Sequence, residues 1–151
     1  MRQTIALDAN LLVLLVVGLT NPGYIEKHRR LKAYRVEDFE ILAHTIAESA
    51  GVVVTPNALS EASNLLRQIE DPARTAIGAA FQRLISNTKE LYIESAAASA
   101  RNEFLRFGLA DNVLLEVAKN NIVVVSVDAN LCIAAQKSGY SALNFNHIRN
   151  L

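Results

Sequence analysis

Two apolar runs, each closed by an acid, constrain this chain more than any other feature. The first is Thr4-Ile5-Ala6-Leu7, ended by Asp8; the second is Ile122-Val123-Val124-Val125-Ser126-Val127, ended by Asp128. β-Branched residues dominate the second run and make it a strand. Both runs are nearly continuous in apolar residues, the pattern of strands covered on both faces. Val52-Val53-Val54-Thr55 repeats it, and Glu90-Leu91-Tyr92-Ile93 and the segment from Ala142 to Phe145 supply two more candidates. Helical segments separate them. Residues 10–19 are apolar all round, which places that helix in the core or at an interface. Glu37 or Asp38 opens a helix over about 38–50, stopped by Gly51; Thr55-Pro56 opens one over 57–70; Asp71-Pro72 opens another to about 87. Ser95 is read as capping a helix to Phe107 with Gly108 as its stop, and helices over 112–119 and 129–138 follow, the last stopped by Gly139. Strands alternating with helices imply an α/β fold: one domain over residues 1–151, three-layer α/β/α, with a central parallel sheet of four or five strands.

Composition narrows the function classes. Hydrophobic residues are 51% of the chain and mean hydropathy is +0.19, enough for a tight core and some apolar surface left for a partner. Fifteen basic residues balance fifteen acidic ones, so the chain lacks the basic excess of a nonspecific nucleic-acid binder. Any nucleic-acid role must come from a local patch. The densest candidate is Tyr24 to Arg35, with Lys27, His28, Arg29, Arg30, Lys32 and Arg35; it reads either as a solvated helix face or as a phosphate-backbone contact. The single cysteine, Cys132, rules out an intrachain disulfide and argues against a cysteine-based zinc site. It reads as a small buried hydrophobe in a protein of the reducing cytoplasm. Leu11 to Val17 imitates a signal sequence, but Asp8 and Asn10 fall where its hydrophobic region should begin, and the run is too short to span a bilayer.

In open parallel sheets, ligands bind beyond the carboxyl ends of the strands. Asp8 and Asp128 occupy two such ends. Glu61 lies about six residues past its strand, in the first turns of a helix whose side chains tilt back toward that rim. Asp111 opens the helix after Gly108. Each acid has a plainer reading: Asp111 and Asp128 as helix caps, Glu61 as a solvated side chain. Asp8 is harder to explain so, because it interrupts a segment that otherwise favours burial. A pocket shared by several carboxylates repels itself unless a cation sits within it. All-oxygen ligands suit Mg²⁺ or Mn²⁺, one ion or two, and the chemistry such a site offers is displacement at a phosphodiester by water. None of His28, His44 and His147 lies near these acids in sequence, so no histidine base is required.

Read together, these segments resemble the PIN domain, the small metal-dependent ribonuclease fold of bacterial and archaeal toxins, along essentially the whole chain. Leu7-Asp8-Ala9-Asn10-Leu11-Leu12 resembles the opening motif of that family, and Thr55-Pro56-Asn57-Ala58-Leu59-Ser60-Glu61 the second. Gly108-Leu109-Ala110-Asp111 resembles the third motif, and Val125-Ser126-Val127-Asp128 the fourth. The resemblance implies that Asp8, Glu61, Asp111 and Asp128 are the metal-binding and catalytic acids, with Asn10 and Ser126 as polar supports. It also implies an endoribonuclease, the toxin of a toxin–antitoxin pair in the style of virulence-associated protein C, acting on RNA as a homodimer with an antitoxin protein as partner. Two positions depart from the pattern. Ala110 stands where a hydroxyl residue often precedes the third acid, and Asn130 where many relatives carry a further acid. Glu94 and Glu116 are possible extra acids, though each also reads as an ordinary surface residue.

Two other functions compete. A phosphatase of the haloacid-dehalogenase type also begins with a strand-end aspartate, but it needs a second aspartate where Asn10 stands, and a lysine after a strand that this chain does not supply. A non-catalytic binding or scaffold module is compatible with the neutral charge and the missing fifth acid.

Overall fold

The computed structural model describes residues 2–150. Five parallel strands, β1 (Thr4–Leu7), β2 (Gly51–Val54), β3 (Lys89–Glu90), β4 (Val123–Ser126) and β5 (Ala142–Asn144), form one sheet in the order β3-β2-β1-β4-β5. Helices α1 (Ala9–Thr20), α2 (Val36–Glu48), α3 (Pro56–Leu66) and α4 (Ala73–Asn87) contribute to the core on one face. Helices α5 (Ser95–Ser99), α6 (Phe104–Ala118) and α7 (Ala129–Lys137) build the second core on the other, and a short α8 (Phe145–Arg149) ends the described chain. The fold is therefore three-layer α/β/α, as the alternation of apolar runs requires. Among the described residues, no helix is long and apolar enough to cross a membrane.

Helix α1 is the centre of the larger core: Leu11, Leu12, Leu14, Val16 and Val17 are all essentially without solvent contact. Each such side chain contributes about 1.5–3 kcal/mol by leaving water. Gly18 lets α2 approach this helix closely, since a Cβ there would overlap the ring of Phe39. Thr55 caps α3 as its Thr-Pro signal implies, accepting from the Ala58 amide at 3.2 Å.

Three elements differ from the sequence reading, each for a tertiary reason. The basic stretch is not a helix but two short 3₁₀ turns, Pro22–Tyr24 and Arg29–Leu31. Between them the His28 ring is buried. Its Nδ1 accepts the Arg30 amide at 3.1 Å, which leaves Nε2–H to donate to the Leu66 carbonyl at 3.1 Å. Burial holds this imidazole below its ordinary pKa, and the charges of Arg30 and Lys32 act in the same direction. The third strand is two residues long; beyond it only the Leu91 amide continues the ladder, to Val54 at 2.8 Å. The helix read over Ser95 to Phe107 ends at Ser99. There Arg101 turns inward to meet Glu116 at 2.5 Å and Glu103 at 3.3 Å, with Tyr140 beneath its guanidinium. Gly108 does stop a helical segment, as read: its φ of 78° and ψ of −172°, a conformation that favours glycine, break α6 into two helices there.

Candidate functional site

The strand order decides where a site can form. From β1 the chain builds outward to β2 and β3 on one side, then crosses back to place β4 and β5 on the other. In sheets of this kind ligands bind beyond the carboxyl ends of the strands where the winding reverses, here β1 and β4. Asp8 follows β1 there, and Asp128 follows β4.

Asp8 is buried and heavily bonded. Its Oδ1 accepts the Leu11 amide at 2.9 Å, capping α1. Its Oδ2 accepts the Ser126 hydroxyl at 2.5 Å and the Val127 amide at 3.2 Å. The Ser126 hydroxyl in turn accepts the Asp128 amide at 3.0 Å, and Asp128 Oδ1 accepts the Leu131 amide at 3.1 Å, capping α7. One fully buried serine thus ties the ends of both strands and both acids into a single network. Burial raises the Asp8 pKa above its ordinary value despite these three bonds, and the Glu61 charge adds to the rise. By lone-pair count, Oδ2 is used twice and Oδ1 once, so Asp8 retains an acceptor direction for a ligand.

Glu61 and Asp111 approach from the other side of the crevice. Glu61 is exposed on α3, and Asp111 is half-buried on α6, three residues past the Gly108 break. That break is pinned by Asn112, which is fully buried and donates from Nδ2 to the Gly108 carbonyl at 2.6 Å. Among the described residues Asp111 accepts no hydrogen bond, so the capping role open to it in the sequence is not the one it fills. Its pKa is raised to about 6, first by burial and then by the charges of Asp128, Asp8 and Glu61. The same electrostatic reach shows at Cys132, buried behind the acids, whose thiol is pushed up to about 11 by burial and by Asp8 and Asp128. The charges of Asp128, Asp8 and Glu61 thus all reach Asp111, and that of Glu61 reaches Asp8.

The remaining sequence candidates divide. Ser126 supports Asp8 directly. Asn10 is exposed and makes no side-chain hydrogen bond among the described residues; Asn130 and Glu94 are exposed as well. Glu116 is neither a spare acid nor a plain surface residue, since Arg101 and Lys119 engage it at 2.5 and 3.4 Å.

One cluster at the site had no sequence signal. Tyr34 is half-buried, and its pKa is raised first by burial and then by the charges of Asp8 and Asp38. Arg149 lies 4.5 Å over its ring and is held by both oxygens of Asp38, at 3.1 and 2.9 Å, and by the Ala33 carbonyl. On the opposite flank, Pro56, Asn57, Ser60, Glu61, Leu109 and Ala110 line an open groove of about 390 Å³.

The donor set fits a hard divalent cation: carboxylate oxygens only, mutually repelling, with a free lone-pair direction on the most ordered of them. Among the described residues, no three acidic, histidine or cysteine side chains already stand as a closed ligand set. Repulsion of the kind that raises Asp111 opposes such a set while no positive charge is present. No family model matches the sequence, and no significant match to a curated protein is found.

Proposed function

We propose that the protein is a Mg²⁺- or Mn²⁺-dependent endoribonuclease of PIN-domain type, acting as the toxin of a toxin–antitoxin pair. The observation that carries this reading is the network at the strand-order reversal of the parallel sheet, where Ser126 donates to Asp8 and accepts the Asp128 amide, with the charges of Asp8, Asp128 and Glu61 all reaching Asp111. A bound divalent ion would supply positive charge to a bridging phosphate and lower the pKa of an attacking water. Asp8, Glu61, Asp111 and Asp128 would hold that ion. Ser126 fixes the Asp8 carboxylate in one orientation, and the Val127 and Leu11 amides keep it there.

An apolar groove of about 530 Å³ between α1, α2 and α4, lined in part by Leu12, Leu15, Leu19, Ile46 and Leu84, supports a protein partner, either an antitoxin segment or a second copy of the chain.

The test is RNA cleavage by the purified protein with millimolar Mg²⁺ or Mn²⁺. Cleavage is expected with the ions, absent in EDTA, and reduced about a hundredfold or more in Asp8→Asn and Asp128→Asn proteins that melt cooperatively. Full activity in either variant, or in EDTA, rejects the mechanism. RNA binding without cleavage favours the non-catalytic module instead.

A further inference from the structure

We propose that the groove beside Glu61 is a nucleobase subsite, and that Asn57 reads adenine in the nucleotide next to the cleaved phosphate. This rests on the ribonuclease reading, because it is the acid cluster that would place a phosphate at the groove's edge. Glu61 forms part of its wall, and Ala110 immediately precedes Asp111. A strand whose phosphate lies at the acids has its neighbouring base within reach of this opening.

The chemistry of the lining selects a base over a phosphate. No basic side chain contributes to the groove, and one carboxylate does, so an anion is disfavoured there. Pro56 and Leu109, the latter 37% exposed, supply apolar surface on which a flat ring can lie. Between them stand the Asn57 amide and the Ser60 hydroxyl, neither of which makes a side-chain hydrogen bond among the described residues. Apolar walls carrying a few uncommitted polar groups are the usual make-up of a small-ligand cleft, and about 390 Å³ lies within the size range of such clefts. A carboxamide offers an acceptor and a donor side by side, which matches the adjacent N6 amino donor and N7 acceptor of adenine. Glu61, an acceptor only, also favours a base with an exocyclic amino group.

The strand must be single to enter, since a paired base has no free edge here. Tyr92, 77% exposed with its hydroxyl bonded to Glu90 at 3.1 Å, lies just past the carboxyl end of β3, on the same rim of the sheet. An exposed ring in that position is a stacking platform for a further base.

The experiment sequences the ends left when wild-type protein, Asn57→Ala and Ser60→Ala cut a random-sequence RNA in Mn²⁺. In parallel, binding of hexameric oligo(rA) and oligo(rU) to the Asp128→Asn protein is measured with and without Asn57→Ala. Wild type is expected to favour adenine at one nucleotide flanking the cut, and Asn57→Ala to lose about tenfold of that preference. Overall cleavage of the pool should fall far less, and the melting temperature should not change, because the Asn57 amide makes no hydrogen bond among the described residues. The rA-over-rU preference in binding should disappear with it. A bias for another base that still depends on Asn57 overturns the adenine assignment. Cleavage with a bias that neither variant alters overturns the subsite and leaves the nuclease standing; wild type that cuts no RNA in either ion overturns both.

Discussion

The two sides of the crevice are built differently. On the β1/β4 side, Asp8, Ser126 and Asp128 are joined by hydrogen bonds at 2.5 to 3.2 Å that also cap α1 and α7. On the α3/α6 side, Glu61 and Asp111 accept no hydrogen bonds among the described residues, and Asp111 is lifted to about 6 by burial and its acidic neighbours. The first side is part of the fold: Asp8 and Ser126 join the ends of β1 and β4, and Asp128 caps α7. The second is held near the first by backbone alone, against electrostatic repulsion. A metal site has reason to be divided this way. Ordered ligands fix where an ion sits, and loose ones close on it once its charge cancels their repulsion.

The ordered side should show the larger stability effect. Ser126→Ala removes the hydroxyl that donates to Asp8 and accepts from the Asp128 amide. The folded state is expected to lose about 1.5–3 kcal/mol at neutral pH, the scale of a hydrogen bond to a charged group. Without the hydroxyl, the Asp8 pKa rises further. The loss should therefore shrink as pH falls and Asp8 becomes protonated in both proteins. Urea denaturation at pH 7 and at pH 4 checks this; equal losses at the two values would mean that Ser126 acts by packing and not through the carboxylate.

The opposite sign is expected across the crevice. The Asp111 pKa is raised in the folded protein, from 3.8 to about 6. Its contribution is thus fully favourable only below the unfolded value and is lost as pH rises through the folded one. Above pH 6 the ionised carboxylate destabilises the metal-free protein. The bare shift corresponds to about 3 kcal/mol, and its partial exposure to solvent reduces that to about 1 kcal/mol. Asp111→Asn is therefore expected to stabilise the metal-free protein by about that much at pH 7 and hardly at all at pH 4. Millimolar Mn²⁺ should stabilise wild type more than the variant, by mass action on the folded state. A variant less stable than wild type at pH 7 without metal would remove the contrast between the two sides.

How much of this could be read from residues alone follows the same division. Asp8 and Asp128 were legible because a charged residue ending a β-branched or apolar run has few places to go in a parallel sheet but the rim. Ser126 needed the resemblance, since a serine inside a valine run looks like a tolerated polar residue until its partner 118 positions away is placed. The stop at Gly108 was legible because glycine after a helix supplies the positive φ that ends it, and the backbone breaks there at φ 78°. The buried Asn112 amide bonded back to the Gly108 carbonyl, which pins that break, had no local signal. The basic stretch misled, because nothing local reveals that His28 is committed to the carbonyl of Leu66. Arg149 was invisible for the most general reason. Its partner Asp38 lies 111 positions away and looks, by sequence, like a first-turn helix acid.

The finest distinction between the two sides rests on Glu61, and it predicts the smallest change in the fold. Its side chain is exposed and bonds nothing among the described residues, so Glu61→Gln should shift the stability of the metal-free protein by no more than about 0.5 kcal/mol. Ser126→Ala and Glu61→Gln should then separate cleanly in a thermal melt: the first lowers the midpoint without metal, while the second leaves it in place. With Mn²⁺ the order reverses. If Glu61 closes on the ion, Glu61→Gln loses part of the metal-induced rise in midpoint, because a carboxamide oxygen carries no net charge toward the cation. Ser126→Ala keeps more of that rise, since all four carboxylates remain. A Glu61→Gln protein with the full metal-induced rise would leave Glu61 outside the cage, and would make the α3 side of the crevice a wall for substrate alone.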